Sequence, residues 1–211
     1  MASDFIIIGG GLVGSAVAYG LIKSGASVTI LDEGDTAFRA SRGNFGLVWV
    51  QSKGDGMHEY AAWSRESSDL WTSFANLLGE ETGINVGHHR PGGLELCLDE
   101  AEYNDFNNSI NRMHNQPNVG ENERRMISGD EVRRMEPNVG PEVVGASYCP
   151  YDGIVNPLYT LRALHQQCIK LGLNYKPEHE VIDIVPQQTG FEVLTDGGKF
   201  FGEKVILAAG N

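Results

Sequence analysis

The sequence predicts an α/β fold that opens with a strand–helix–strand unit. Residues 5–8 (FIII) form a continuous apolar run, which is typical of a parallel strand buried on both faces. An apolar stripe with helical spacing follows from Leu12 to Leu21, and Gly25 is placed to end it. Residues 27–31 (SVTIL) then form a second strand. This order indicates the Rossmann-like crossover of a parallel sheet.

The remainder of the chain mixes helices and strands. We interpret residues 35–58 as a long functional loop around a short strand at 47–50, and residues 116–129 as an exposed connection. Ser128 and Glu131 form a capping box that opens a short helix. The other predicted helices cover residues 60–81, 100–114 and 157–171, and the other predicted strands cover residues 93–98, 143–149, 181–185, 191–194 and 205–209.

These elements divide the chain into a Rossmann-like domain and an insertion. The first part of the Rossmann-like domain covers residues 1–84, and its second part covers residues 151–211. Residues 85–150 form an inserted α+β domain.

Composition restricts the classes of partner. The formal net charge of −12 argues against nucleic acid or an anionic membrane, because both require a basic face. The basic pairs at 124–125 and 133–134 are interpreted as solvated helix faces. Cys97, Cys149 and Cys168 lie far apart without metal-ligand spacing, so we expect no metal site and a cytoplasmic location. No apolar stretch reaches the length of about 18 residues that a membrane span requires.

Residues 9–14 (GGGLVG) carry the glycine spacing GxGxxG. This string is weak evidence by itself. Here it follows a predicted buried strand, opens a predicted helix, and precedes Asp32 at the end of the next strand, 23 residues after Gly9. The combination predicts a binding site for an adenine dinucleotide.

Each position of the motif has a physical reason. Gly9 permits the tight turn, Gly11 lets the backbone approach a pyrophosphate, and Gly14 allows the helix to pack closely on the strand. The helix begins with Leu12 and Val13. Its first turn presents free N–H groups and a partial positive charge, so it can bind a diphosphate without a lysine.

Asp32, which Glu33 follows, restricts the dinucleotide further. Its carboxylate can accept hydrogen bonds from both hydroxyls of an adenosine ribose and would repel the 2′-phosphate of NADP. FAD and NAD both remain possible at this point, because both contain an AMP half with a free 2′-hydroxyl.

The choice between FAD and NAD rests on a family resemblance that residues 38–46 (FRASRGNFG) carry. Together with residues 31–34 (LDEG) and 46–53 (GLVWVQSK), they resemble the FAD-dependent D-amino-acid oxidase family. That family includes glycine oxidase, sarcosine oxidase and the flavin subunits of opine oxidases and D-hydroxyproline dehydrogenases. Within it, the chain is most similar to the B-type subunits of opine oxidases.

The resemblance implies FAD as the cofactor. In the family, the Ser-Arg-x-Asn-x-Gly stretch runs beside the pyrophosphate, ribityl chain and flavin. The matching residues here are Ser41, Arg42, Asn44, Phe45 and Gly46. Their chemistry fits this role, because a guanidinium can pair with phosphate and glycine permits close backbone approach.

Two later segments also resemble the family. Residues 151–157 (YDGIVNP) resemble its D-G-x-V-x-P start of a long helix, and residues 204–210 (KVILAAG) resemble its strand ending in Ala-Thr/Ala-Gly. The resemblance also implies cofactor contacts at Val181, beside the adenine, and at Ala208, Ala209 and Gly210 in the last of these segments.

The resemblance also implies a reaction. The expected function is an FAD-dependent oxidoreductase that oxidises the C–N bond of an amino acid, secondary amine or opine by hydride transfer to flavin. Because the cofactor carries the difficult step, no catalytic base is required, and the catalytic residues stay unknown. Possible partners are the other subunits of a heteromeric dehydrogenase. Family members run well beyond residue 211, so we expect this chain to be an N-terminal portion that lacks the C-terminal half of the family fold.

Three residues are candidates for substrate contact, and the inserted domain is the expected substrate domain. Gln51 and Lys53 follow the flavin loop, although they could equally be solvated loop residues. Arg90 could attract a carboxylate, with an ordinary surface ion pair as the alternative. Trp63 has helical spacing with Trp71 and Phe74, which favours core packing. His165 and His179 are interpreted as surface or helix-face residues.

Two other functions remain open. An NAD-dependent dehydrogenase would explain the glycine motif, but residues 41–46 disfavour it. A non-catalytic flavin-binding or assembly subunit of a heteromeric dehydrogenase would explain both the motif and the short chain.

Overall fold

The structure is a computed structural model that describes residues 2–34, 40–117 and 123–210. In chain order, the helices and strands are β1 (Ser3–Ile8), α1 (Leu12–Lys23), β2 (Val28–Leu31), β3 (Leu47–Val48), α2 (His58–Thr82), β4 (Gly93–Cys97), α3 (Glu100–His114), β5 (Arg125–Ser128), α4 (Gly129–Met135), β6 (Gly145–Cys149), β7 (Gly153–Ile154), α5 (Pro157–Lys170), β8 (Asn174–Lys176), β9 (Val181–Pro186), β10 (Phe191–Thr195) and β11 (Gly198–Leu207).

The chain divides into two units. Unit 1 comprises Met1–Phe45, Asn76–Val86 and Asn156–Asn211, and unit 2 comprises Gly46–Ala75 and Gly87–Val155. The first strand, helix and strand, which the sequence predicts as a Rossmann-like crossover, all belong to unit 1. The loop after residue 45 belongs to unit 2, together with residues 87–150 of the segment predicted as an insertion.

Unit 1 is built on a six-stranded sheet with the order β8-β2-β1-β11-β10-β9. The first four strands are parallel, and β10 and β9 are antiparallel additions at one edge. Ile6, Ile7 and Ile30 have no exposed surface, which confirms that the apolar runs are buried parallel strands. The chain moves from β1 to one side through β2 and later returns on the other side of β1 as β11. A reversal of this kind leaves a crevice at the carboxyl ends of the strands.

The helices of unit 1 begin and end close to their predicted positions. After α1, Gly25 adopts a φ of +93° and its N–H donates to the carbonyl of Ile22 at 2.9 Å, which ends the helix. The Asn156 side chain accepts from the N–H of Tyr159 at 3.0 Å and caps α5, which starts with Pro157.

Unit 2 contains a three-stranded antiparallel sheet with the order β4-β6-β5. Its core is an apolar cluster that includes Ile127, Val132 and Ala146. The Ser128 hydroxyl accepts from the N–H of Glu131 at 3.3 Å at the start of α4, which confirms this part of the predicted capping box. A second pairing joins the two-residue strands β3 and β7.

Three sequence interpretations are wrong in unit 2. Part of the predicted exposed connection is strand β5, where Ile127 is buried and lies opposite Ala146. Arg124, expected on a solvated helix face, precedes that strand and is 2% exposed. Trp63, expected in the core, is 67% exposed on α2. Strand pairing and the packing of whole elements decide all three, and neither is visible in local periodicity.

No helix within the described ranges is both long enough and apolar enough to cross a membrane.

Candidate functional site

A cavity of about 240 Å³ lies in unit 1 at the carboxyl ends of β1, β2 and β11. It occupies the crevice that the strand order creates. Its lining residues are Ile8, Gly9, Gly11, Leu31, Asp32, Glu33, Ala40, Ser41, His179, Glu180, Val181, Ala208, Ala209 and Gly210.

Gly9 forms the tight turn between β1 and α1. Its φ of +103° lies in the left-handed region that favours glycine. Its N–H donates to the carbonyl of Leu31 at 2.8 Å, and the neighbouring N–H of Ala208 donates to the carbonyl of Ile8 at 2.8 Å. A Cβ on Gly9 would lie 2.9 Å from the Cα of Ala209 and would collide with the carbonyl of Ala208. The turn and the end of β11 therefore require glycine here.

The amino end of α1 lies beside the cavity, where Gly11 and Ser41 line it. Its N-cap residue, Gly11, provides no capping side chain. The Ser41 hydroxyl accepts from the N–H of Leu12 at 2.9 Å instead. A Cβ on Gly11 would lie 2.7 Å from that hydroxyl oxygen, and one on Gly14 would collide with the carbonyl oxygen of Gly9. Glycine thus permits close approach at one position and close helix–strand packing at the other.

Asp32 is buried at 4% exposure, although it lines the cavity. Its carboxylate accepts from the N–H of Gly10 at 2.6 Å and from the N–H of Gly34 at 3.1 Å. The Asp32 side chain therefore both fixes the glycine loop, through the N–H of Gly10, and lines the cavity. A ligand hydroxyl would share this carboxylate with two backbone donors.

The cavity brings together most of the predicted cofactor residues. Those that line it are Gly9, Gly11, Asp32, Glu33, Ser41, Val181, Ala208, Ala209 and Gly210. The predicted residues that do not line it are Leu12, Val13, Gly14, Arg42, Asn44, Phe45 and Gly46. Of these, Gly46 belongs to unit 2, and Phe45 is 90% exposed at the end of the first segment of unit 1. Phe38 and Arg39, at the start of the family-like stretch, lie outside the described residues. All these cofactor contacts stay predictions.

The three candidate substrate residues lie in unit 2. Gln51 is 1% exposed, and its side chain hydrogen-bonds Asp152 at 2.7 Å and Ser147 at 2.9 Å. Lys53 is exposed. Arg90 pairs with Asp69 at 2.8 Å, which is the alternative that the sequence left open. Their contact with substrate stays a prediction.

Sequence reasoning missed two cavity residues that directly precede Val181. His179 lines the cavity, and its ring nitrogen Nδ1 lies 2.8 Å from the carbonyl oxygen of Pro177. Glu180 lines the cavity beside it. The only signal for either residue was its position next to a predicted adenine contact. The sequence also assigned no role to His165. Its Nε2 lies 2.8 Å from the carbonyl oxygen of Gly10, within unit 1.

The cysteines offer no reactive thiolate. Cys97, Cys149 and Cys168 are all buried and carry free thiols. Burial raises the pKa of each thiol to about 11, so all three are protonated near neutral pH. Within the described part of the chain, no group of three or more His, Cys, Asp or Glu side chains could hold a metal ion.

The residues that line the cavity are chemically suited to the pyrophosphate and ribose of an adenine dinucleotide. Bare glycine backbone and the amino end of α1 form its wall beside Gly11, where a pyrophosphate could reach peptide N–H groups. Among its described lining residues there is no lysine or arginine, so an anion there would depend on peptide N–H groups and the helix terminus. Asp32, Glu33 and Glu180 make the other side suited to the hydroxyls of a ribose.

Comparison with protein families gives one match that covers nearly the whole chain. Residues 4–211 match the model described as FAD dependent oxidoreductase. The B-type subunit of opine oxidase from Agrobacterium tumefaciens (strain Ach5) is 37% identical over 207 residues, which is 98% of this chain and 56% of that protein. Glycine oxidase of Geobacillus kaustophilus (strain HTA426) is 30% identical over 208 residues, covering 98% of this chain and 54% of that protein.

Solved structures agree with these matches. The crystal structure of glycine oxidase from Geobacillus kaustophilus superposes with a TM-score of 0.86 at 28% identity. The match covers 99% of this chain and 55% of that structure. The chain therefore spans about half the length of the relatives it matches.

Proposed function

Because the chain belongs to the FAD-dependent oxidoreductase family, we propose that it binds FAD in the cavity of unit 1 and forms part of an enzyme that acts on amino acids or amines. One observation carries this proposal. The glycine loop after β1, Asp32 at the end of β2 and residues 208–210 after β11 meet around one cavity at the carboxyl ends of parallel strands.

The residues of the cavity divide by the part of FAD that they would hold. The N–H groups beside Gly11, at the amino end of α1, would bind the pyrophosphate. Asp32 and Glu33 would accept hydrogen bonds from the adenosine ribose, and Val181 would lie against the adenine. Ser41 would lie beside the phosphates while it caps α1. These residues bind and orient the dinucleotide and move no proton.

The proposed reaction is oxidation of a C–N bond in an amino acid, secondary amine or opine. FAD, when bound, would supply the acceptor for the hydride that leaves the carbon next to nitrogen. Relatives at 37% and 30% identity are a component of opine oxidase and a glycine oxidase, which supports this substrate class. The first of these relatives is named as one subunit of its enzyme, so we also propose that partner subunits complete the enzyme here.

Two alternatives have less support. An NAD-dependent dehydrogenase is disfavoured because residues 4–211 match an FAD-dependent family. A non-catalytic flavin-binding subunit would use the same cavity. It differs from the enzyme only in failing to reduce its flavin with a substrate.

The absorption spectrum of the purified protein tests the cofactor. We expect the two flavin bands, in the blue and the near ultraviolet, and we expect apoprotein to regain them with FAD. A colourless protein that binds NAD but not FAD would contradict the proposal. Anaerobic addition of glycine or octopine should bleach the bands if the protein is an enzyme. Persistence of the bands with every amino acid, amine and opine tested would favour the passive subunit.

A pair of glycine variants tests whether the cavity is the FAD site. Gly11→Ala adds a Cβ within 2.7 Å of the Ser41 hydroxyl oxygen, at a backbone conformation with negative φ. We expect its Kd for FAD to rise by about 10-fold or more, because the backbone can no longer approach the pyrophosphate. Gly20→Ala, in the same helix, adds a Cβ with no atom within 4 Å and should leave the Kd unchanged. Equal affinity of both variants for FAD would place the site elsewhere.

A further inference from the structure

Two peptide groups of the glycine loop are held by side chains from other elements, one of which, His165, does not line the cavity. The Gly10 carbonyl oxygen lies 2.8 Å from Nε2 of His165, on α5, and 3.2 Å from the Ser15 hydroxyl, which donates to it. A carbonyl oxygen only accepts hydrogen bonds, so Nε2 of His165 must carry the proton. The ring of His165 in turn lies against the ring of Tyr175, with 5.0 Å between centroids.

This contact fixes the direction of a second group. The carbonyl of Gly10 and the N–H of Gly11 belong to one planar peptide unit, and no described residue follows a cis peptide bond. In a trans peptide the C=O and the N–H point in opposite directions. His165 holds the oxygen, so the Gly11 N–H points away from His165. Gly11 lines the cavity, and His165 is not among its lining residues.

The preceding peptide follows the same logic. The N–H of Gly10 donates to the Asp32 carboxylate at 2.6 Å. The carbonyl of Gly9, in the same peptide, therefore points the other way, against the Cα of Gly14, where an added Cβ would collide with it. Both peptides of the loop are thus fixed by side chains that come from outside it.

From this geometry we infer that His165 is a positioning residue, which aims the Gly11 N–H at the pyrophosphate of the bound dinucleotide. The inference rests on the proposed function for its ligand, and it concerns residues 155 positions apart in sequence. It assigns no contact between His165 and the cofactor.

Three variants separate this role from simple stabilisation. His165→Phe keeps a ring against Tyr175 but removes the donor. His165→Gln restores an N–H near the position of Nε2. Gln166→Ala is the matched control, because it removes the hydrogen bond of 3.0 Å from the same helix to the carbonyl of Thr82 and leaves Gly10 untouched.

Binding of FAD, ADP and adenosine to the apoprotein is the first measurement. We expect His165→Phe to raise the Kd for FAD and ADP by about 10-fold, the effect of one part-buried hydrogen bond. The Kd for adenosine, which lacks phosphate, should change by less than about 2-fold. His165→Gln should recover most of the loss, and Gln166→Ala should match the unchanged protein. Equal weakening for adenosine and ADP, or no weakening for ADP, would overturn the inference.

Hydrogen exchange at the Gly11 amide is a second measurement, and it requires no ligand. We expect His165→Phe to change the exchange rate and the ¹⁵N shift of Gly11, and His165→Gln to restore both. If the unchanged protein bound neither FAD nor ADP, the proposed function would fail, and this amide would still decide whether His165 orients the loop. An unaltered Gly11 amide in His165→Phe would refute the inference by itself.

Discussion

The two units hold their buried polar groups in different ways. In unit 1, the loop after β1 is fixed through its peptide groups, with Asp32 on one N–H and His165 on one carbonyl. In unit 2, side chains bind one another. Arg124 donates through Nε to the Ser147 hydroxyl at 2.7 Å, and that hydroxyl donates to Oε1 of Gln51 at 2.9 Å. The geometry of the loop in unit 1 therefore requires glycine at its close contacts. The hydrogen-bonded side chains of unit 2 instead require each member of the series, because removing one leaves its neighbours without a partner.

The buried series of unit 2 consists of Arg124, Ser147, Gln51 and Asp152, and its hydrogen bonds all run from donor to acceptor in one direction. Gln51 Nε2 donates to the Asp152 carboxylate at 2.7 Å, and the other carboxylate oxygen accepts from the N–H groups of Val50 at 2.5 Å and Gln51 at 3.2 Å. Arg124 at one end can only donate, and the Asp152 carboxylate at the other can only accept. The orientation of Ser147 and Gln51 between them is therefore determined by the two ends.

The largest effect is expected at the glycine turn of unit 1. Gly9→Ala combines a φ of +103° with a Cβ that collides with the backbone of residues 208 and 209, which no side-chain movement can relieve. We expect it to lower the free energy of unfolding by about 3 kcal/mol or more, or to prevent folding. Urea unfolding of the apoprotein measures the change.

Gly25→Ala is the matched control for that variant. Gly25 has a φ of +93°, but a Cβ there meets no atom within 4 Å. Only the conformational cost remains, which is about 1 kcal/mol. If the two variants were equally destabilised, the close approach between Gly9 and the end of β11 would contribute nothing.

The second largest loss of stability is expected at Asp152, the acceptor at the end of the buried series in unit 2. Asp152→Ala removes the acceptor of three N–H groups, and we expect a loss of about 3 kcal/mol in the free energy of unfolding. Asp152→Asn keeps an oxygen for the two backbone donors but sets an N–H₂ group against Nε2 of Gln51. Its expected loss is about 1–2 kcal/mol. Burial raises the pKa of Asp152, so both variants also avoid burying a charge, which offsets part of each loss.

Comparison of these two losses with that of a surface variant tests whether the buried series stabilises unit 2. Asp105→Ala, at an exposed position of α3, should change the free energy of unfolding by less than about 0.5 kcal/mol. If Asp152→Ala and Asp152→Asn had the same free energy of unfolding as this control, the buried series would contribute nothing to the stability of unit 2.

What the sequence could predict follows the same division. The glycine loop, the buried strands and the helix caps depend on residues close together in the chain, and their patterns are visible in the sequence. Gln51 and Asp152 are 101 positions apart, and Gln51 and Ser147 are 96 apart. The sequence therefore predicted Gln51 as a loop or substrate residue and missed its buried partners.

Short strands are a second feature that the sequence could not predict. Strand β8 has three residues and β7 has two, and the sequence analysis identified neither. Each exists because a neighbouring strand supplies its partners, as β2 does for β8. His165 illustrates the same point for the site, because α5 has to pack beside the glycine loop before that histidine can reach it. Asp32, by contrast, follows directly from the spacing of the motif.

The smallest effect distinguishes an exposed charge cluster of unit 2 from its buried series. Asp69 accepts from Arg65 at 2.9 Å and from Arg90 at 2.8 Å, with its side chain 47% exposed. Burial acts to raise the pKa of Asp69, but the two guanidinium donors outweigh it, and the pKa lies below its ordinary value of 3.8. A lowered carboxyl pKa adds stability above the ordinary pKa, and that stability is lost as the pH falls through the lowered one.

Asp69→Asn should therefore cost about 0.5 kcal/mol at pH 7, because solvent screens a half-exposed cluster. The difference from the wild-type protein should stay constant well above the ordinary pKa of 3.8 and disappear as the pH falls through the lowered pKa of Asp69. Urea unfolding at a series of pH values measures it. Asp130→Asn, which breaks an ion pair with Arg133 where the Asp130 side chain is 90% exposed, should show less than about 0.3 kcal/mol at any pH. A cost for Asp69→Asn as large as that of Asp152→Ala would mean that exposure does not separate the two sets of charges in unit 2.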